Sequence, residues 1–251
     1  MMDGLLALHS AVAPLVTGFL AVFLRVGAML LLVPGLGDRM IPARVRLVGG
    51  FALTIAVTPT VTAPEEIGLA LVVTETTIGL AFGAALRFLA QALLMAGMMA
   101  AQLTSLSQLF GANEPSSAIG NLLNIAGLCL IMAAGLPLYL VELLIRSYDV
   151  IPMGSLMGGA DVVTWGVGRI AHAFALAFAL AAPFALAALL YNVAMGVINR
   201  AMPQLMVVLV GAPAITWAAS VVLMLSAPVI LIVWKTAMVG LLTDPFGGAL
   251  P

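Results

Sequence analysis

Gln102-Leu-Thr-Ser-Leu-Ser-Gln-Leu-Phe-Gly-Ala-Asn-Glu-Pro-Ser-Ser-Ala-Ile-Gly-Asn121 is a polar, breaker-rich insert set between two long apolar runs. Its only charge is Glu114, and neither Phe88 to Asn113 nor Pro115 to Val141 carries an Asp, Glu, Lys or Arg. Flanks of that kind are segments buried in lipid or protein. A loop between them either reaches water at a membrane surface or lies at membrane depth enclosed by protein. The reason is that backbone donors and acceptors exposed to hydrocarbon cost several kcal/mol each.

Working outward, 64% of the 251 residues are hydrophobic and 8% are charged, against about a quarter charged in soluble domains. The mean hydropathy is +1.24. These values define an integral membrane protein and one all-α membrane domain over residues 1–251. The formal net charge of -1 leaves no basic stripe to neutralise phosphates, which excludes nucleic acid as a partner. The single Cys129 lies in an apolar run, so there is neither an intrachain disulfide nor a cysteine metal cluster, and it reads as a small core residue. No cofactor is expected. Asp3 and the lack of Lys or Arg before Arg25 are wrong for a signal peptide, so no cleavage is expected.

Residues 5–33 make a first apolar segment with Arg25 well inside it. An arginine facing lipid costs about 2.5–3.5 kcal/mol on insertion scales, so Arg25 should face a partner or water, or else snorkel toward Gly35. Pro34-Gly-Leu-Gly37 breaks the helix, and Arg39, Arg44 and Arg46 follow in a compact basic turn. The positive-inside rule places that turn in the cytoplasm and the N-terminus outside. A second run, Leu47 to Ala63, ends in Pro64-Glu65-Glu66.

From Ile67 to Leu109 the pattern stays helical for a length of roughly 65 Å, twice the hydrocarbon core of about 30 Å. Gly79-Leu-Ala-Phe-Gly83 is a small-residue face that another helix can approach, and Gly97 is a candidate bend. Glu75 and Arg87 are separated by about 18 Å along this helix, so each seeks another helix or chain. Leu122 to Ile145 reads as one helix and Trp165 to Val197 as another, kinked at Pro183. His172 has no ligand neighbour at helical spacing and reads as a satisfied structural histidine. Asn199-Arg200-Ala-Met-Pro-Gln204 is a second basic turn, and Leu205 to Val239 a last run broken by Pro213 and Pro228.

Two other function classes have sequence features in their favour. Gly35-Leu-Gly-Asp38 and Tyr148-Asp149 resemble the GLGD and YD elements of intramembrane aspartyl proteases, in which paired carboxylates activate water. Their order here is reversed, and Arg39 and Pro42 mark a helix end. Broken helices with stranded charges also suit a secondary transporter for a small solute, but no inverted repeat is visible. HExxH, GxSxG and phosphate-cradling loops are absent from the sequence.

Three separated stretches resemble the FliR family, a subunit of the flagellar type III protein-export gate with an injectisome counterpart. The first is Arg25-Val to Pro34 with Arg39-Met-Ile-Pro-Ala-Arg-Val-Arg46 and Thr58-Pro59. The second is Ile78-Gly-Leu-Ala-Phe-Gly83, the polar insert, and Leu143 to Gly154. The third is Leu180-Ala-Ala-Pro183, Asn192-Val-Ala-Met-Gly196, Asn199 to Gln204 and Val210-Gly-Ala-Pro213. The chain departs from the family's pattern at Asn113-Glu114-Pro115, where many relatives have Asp-Pro, and at Arg146.

The resemblance implies an all-α protein of bent, Pro- and Gly-broken hairpins in a helical, cone-like assembly with FliP and FliQ, and beside FlhB and FlhA. Such a gate sits in the bacterial inner membrane within the flagellar basal body. It passes unfolded proteins and is not an enzyme. The family's plug falls on residues 105–119, so Ser105, Ser107, Gln108, Phe110, Asn113, Glu114 and Pro115 would fill the closed pore. Met95, Met98 and Met99 are flexible enough to seal around a passing chain, although core packing is the plainer reading. Arg25, Arg39, Arg44, Arg46, Glu75, Arg87, Arg200 and Gln204 are the candidate subunit-interface residues.

Overall fold

The computed structural model describes residues 2–37, 41–64, 66–104, 118–155, 158–201 and 207–247. Within them the chain is helical throughout: α1 (Met2–Leu30), α2 (Ala43–Val57) with a 3-10 turn (Thr58–Thr60), α3 (Leu69–Thr104), α4 (Ala118–Ala133), α5 (Leu136–Val150), α6 (Gly159–Ala201) and α7 (Val207–Thr243). Among the described residues, four helices are long and apolar enough to cross a membrane, and there are five spans if α4 and α5 are counted as one broken span. This is an all-α polytopic membrane protein. α3 has 36 residues and α6 has 43, so each is longer than a bilayer core requires.

The insert is flanked by helices as its composition requires, α3 ending at Thr104 and α4 beginning at Ala118. The run expected to be one helix over Leu122 to Ile145 is two. Gly135 adopts φ +95°, a left-handed conformation costly for any residue with a Cβ, and Pro137 then opens α5. α6 runs on through Pro183, and α7 through Pro213 and Pro228. Cys129, expected as a small core residue, is exposed on the chain, as is His172.

The contacts divide the chain into two compact units interleaved in sequence. One comprises residues 1–88, 132–170 and 238–251, and the other residues 89–131 and 171–237. In the first, α1 and α3 pack so closely that a Cβ on Gly79 would collide with the carbonyl oxygen of Arg25. A Cβ on Gly83 would lie 2.6 Å from the carbonyl oxygen of Met29 and 3.0 Å from the Cβ of Leu32. Glu75, Gly79 and Gly83 recur every four residues on one face of α3, opposite Arg25 and Met29 of α1 and Leu32 just beyond its end. In the same unit Trp165 donates its indole N–H to Pro245 O at 2.8 Å, and Phe82 meets the rings of Trp165 and Phe246 edge-on. In the second unit the fully buried Trp234 donates its indole N–H to Leu89 O at 2.8 Å.

Candidate functional site

Arg25 and Glu75 are completely buried and form a two-pronged ion pair. Arg25 Nε donates to Glu75 Oε2 at 2.7 Å, and Nη2 to Oε1 at 3.1 Å. The rest of the guanidinium is also used: Nη1 donates to Ser147 Oγ at 2.9 Å and Nη2 to the carbonyl of Ile151 at 3.3 Å. The plane of Arg25 lies 3.7 Å from the ring centre of Tyr148. Glu75 is equally well satisfied, because the Tyr148 hydroxyl donates to Oε2 at 3.1 Å and the Gly154 N–H to Oε1 at 3.0 Å. Charges are held in an apolar interior by opposite charge, good geometry and further hydrogen bonds to the remaining donors and acceptors, and this cluster supplies all three.

This cluster binds α1, α3, the end of α5 and the turn after it into one body. The glycine face of α3 is what makes it possible: α1 must come close for the guanidinium to straddle a carboxylate one turn before Gly79. The expectation that Arg25 and Glu75 hold partner subunits is therefore corrected. Both have 0% exposure, and each is the other's partner within the chain. Among the described residues no three His, Cys, Asp or Glu side chains converge as a metal site needs.

A second feature frames the polar insert. A Cβ on Gly97 would collide with the backbone of Gly120, so α3 and α4 touch main chain to main chain on the two sides of the insert. One step further from the insert, a Cβ on Gly127 would collide with Leu93 and lie 3.2 Å from the Trp234 ring. Gly97, read from sequence as a bend, is instead this contact point. The two stems of the insert are thus held at a fixed separation by residues with no side chain to yield.

The other site residues fall as follows. Met95, Met98 and Met99 are half-buried along α3. Arg46 donates Nε–H to the carbonyl of Leu36 at 3.1 Å and so closes the turn between α1 and α2, while Arg44 and Arg200 are exposed and Arg87 is half-buried. Arg39, Gln204 and the plug residues Ser105, Ser107, Gln108, Phe110, Asn113, Glu114 and Pro115 lie outside the described residues. Ser147, Tyr148, Ile151 and Gly154 were not foreseen as partners of Arg25 and Glu75. A signal was present in that Ser147, Tyr148 and Ile151 share one helical face at the end of an apolar helix.

Comparison with known proteins adds an independent line. Residues 16–241 match the family model described as "Bacterial export proteins, family 1". The "Flagellar biosynthetic protein FliR" of Caulobacter vibrioides is 32% identical over 224 residues, covering 85% of this chain and 89% of that protein. The proteins of the same name from Aquifex aeolicus and Escherichia coli K12 are 29% and 27% identical, covering 87% and 76% of this chain.

Proposed function

Because the chain belongs to family 1 of the bacterial export proteins, the FliR family, we propose that it works as a non-enzymatic subunit of the flagellar protein-export gate. In this reading it sits in the bacterial inner membrane with FliP and FliQ, in contact with FlhB and FlhA. It helps to form and close the channel that passes unfolded flagellar proteins across the inner membrane. The carrying observation is that the family match runs from α1 into α7 and so includes the polar insert with both of its glycine-locked stems.

Physical chemistry supports the division of labour. The insert from Ser105 to Pro115 offers Ser, Gln and Asn side chains that hydrogen-bond one another and water with a single charge among them. A polypeptide displaces such groups at low cost. The stems must meanwhile stay fixed, or the pore would leak whenever the insert moved aside. The remaining candidate interface residues, Arg39, Arg44, Arg46, Arg87, Arg200 and Gln204, are the groups we assign to contacts with the neighbouring subunits.

Neither competing reading gains an observation. Asp149 is exposed, and the adjoining Tyr148 donates its hydroxyl to Glu75. The test is complementation of a strain lacking the gene. The wild-type chain restores motility and secretion of flagellar proteins, and removal of Ser107 to Ser117 leaves an assembled gate with raised ion leakage. Normal secretion in the strain without the gene refutes the assignment, and unchanged leakage refutes the role of the insert.

A further inference from the structure

Lys235 is the only Asp, Glu, Lys or Arg between Arg200 and Asp244, and it sits in the last third of α7. It is half-buried, no hydrogen bond or ion pair with a described residue engages it, and its ammonium is not enclosed but reaches the surface of the chain. Asp244, the next acidic residue, comes about 13 Å further along and on the opposite side of the helix, so it is no partner. An ammonium on an otherwise apolar helix is costly without a counter-charge.

The helix that carries it is the least enclosed of the four long apolar ones. Trp217, Met224, Pro228 and Lys235 stand at i, i+7, i+11 and i+18 and form one line along α7. Trp217 and Met224 are 76% and 79% exposed, and the exposed Leu225 and Ile232 flank the line. Pro228 has no N–H to give, so the carbonyl of Met224 lacks its usual helical donor. The line therefore needs an anion at Lys235 and, about 16 Å or three turns away, a hydrogen-bond donor at Met224.

We propose that this line of α7 is a docking surface for a membrane helix of another subunit, one with an Asp or Glu opposite Lys235 and a hydroxyl or side-chain amide opposite Met224. The two needs together select this occupant. Hydrocarbon supplies neither group. A phospholipid phosphate would meet the ammonium and leave the carbonyl unpaired. A second copy of this chain laid face to face would bring no carboxylate, because the exposed face of α7 has none. The proposal rests on the export-gate reading for the presence of neighbouring subunits, and it adds to that reading the chemistry of one of them.

The test is photocrosslinking in cells, with p-benzoylphenylalanine in place of Ile232 in the full-length, affinity-tagged chain, followed by mass spectrometry of the adduct. The expected adduct lies on a helix of another subunit with an Asp or Glu within one turn of the crosslinked residue. Lys235→Glu lowers co-purification of that subunit by about tenfold or more, Lys235→Arg retains most of it, and changing the partner's acid to lysine restores the Lys235→Glu complex. Lys235→Met, which places no charge on the surface, gives a smaller loss of the same subunit and replaces the reversed charge if that chain fails to accumulate. An adduct with lipid alone, with a second copy of this chain or with a helix lacking an acid overturns the proposal. So does co-purification of Lys235→Met and Lys235→Glu at the wild-type level. The two readings fail separately: an acid-bearing partner helix from outside any export gate refutes the export reading and keeps the surface. Gate subunits that co-purify with a chain whose position 232 reaches only lipid refute the surface and keep the export reading.

Discussion

Removing one member of the buried ion pair should be far worse than removing both. Arg25→Met leaves Glu75 with its charge, 0% exposure and only the Tyr148 hydroxyl and the Gly154 N–H as donors. It also strands Ser147 Oγ and the Ile151 carbonyl as acceptors. A buried charge deprived of its partner costs about 3–5 kcal/mol, which at 1.4 kcal/mol per factor of ten lowers the folded-to-unfolded ratio by about a hundredfold to several thousandfold. Glu75→Gln falls in the same range, because it leaves the guanidinium without a counter-charge. In the double variant neither charge remains, the glutamine carbonyl still accepts from Gly154 or Tyr148, and the cost drops below that of either single change. The assay is chemical unfolding of the detergent-solubilised protein for all four members of the cycle, with membrane abundance of each as a second readout. An Arg25→Met protein within about 1 kcal/mol of wild type refutes the reasoning, and so does a double variant whose loss equals the sum of the singles.

The other perturbations divide between anchoring contacts and a control. Gly97→Val forces a branched side chain into the backbone of Gly120, and overpacking of this kind costs about 1–3 kcal/mol; the expected result is a destabilised protein and an assembled gate that leaks ions, measured by conductance in reconstituted membranes. Gly79→Ala drives a methyl group into the Arg25 carbonyl, and lower membrane abundance at 37 °C is the measurement. Trp165→Phe keeps the ring but leaves the Pro245 carbonyl without its donor, a loss of about 1 kcal/mol that limited proteolysis would detect as earlier cleavage of the C-terminal turn. Arg146→Ala removes a pair with Glu142 whose side chains are 53% and 39% exposed; such i,i+4 pairs contribute about 0.3–0.5 kcal/mol, so its unfolding midpoint stays near that of wild type.

Sequence reasoning was strongest where one residue type has one physical meaning. An arginine deep in an apolar segment must have a partner, and Arg25 does. A Gly-x-x-x-Gly face invites close approach, and α1 takes it. A polar insert between charge-free runs separates two helices, and α3 and α4 flank it. What was not legible is pairing at long range. Glu75 and Arg25 are 50 residues apart, and nothing local says which register of α1 on α3 brings them together. The break before α5 was missed for a different reason: Ala134-Gly135-Leu136-Pro137 interrupts the backbone without interrupting the hydrophobicity. Cys129 reads as a core residue by its type, yet it is exposed on a chain whose apolar helices present hydrophobic side chains outward as well as inward. Burial rules drawn from soluble cores do not hold on such surfaces.

That last point bears on how the fold is specified at all. Where the surroundings are as apolar as the side chains, burying one more Leu discriminates poorly between one helix pairing and another, and van der Waals fit and hydrogen bonds must select. Both units select by glycine. In the first, Gly79 and Gly83 lower α1 onto α3 until the guanidinium reaches Glu75. Sliding α3 by one turn, about 5.4 Å, would break both prongs of that ion pair and set a carboxylate among apolar side chains. The pair thus contributes register more than net stability, as expected of buried charges whose desolvation offsets most of their attraction. In the second, the backbones of Gly97 and Gly120 meet where the stems of the insert come together. Both contacts should therefore resist strain as units, the Arg25 and Glu75 pair through its register-specific hydrogen bonds and the stems through backbone contact that leaves no side chain to yield.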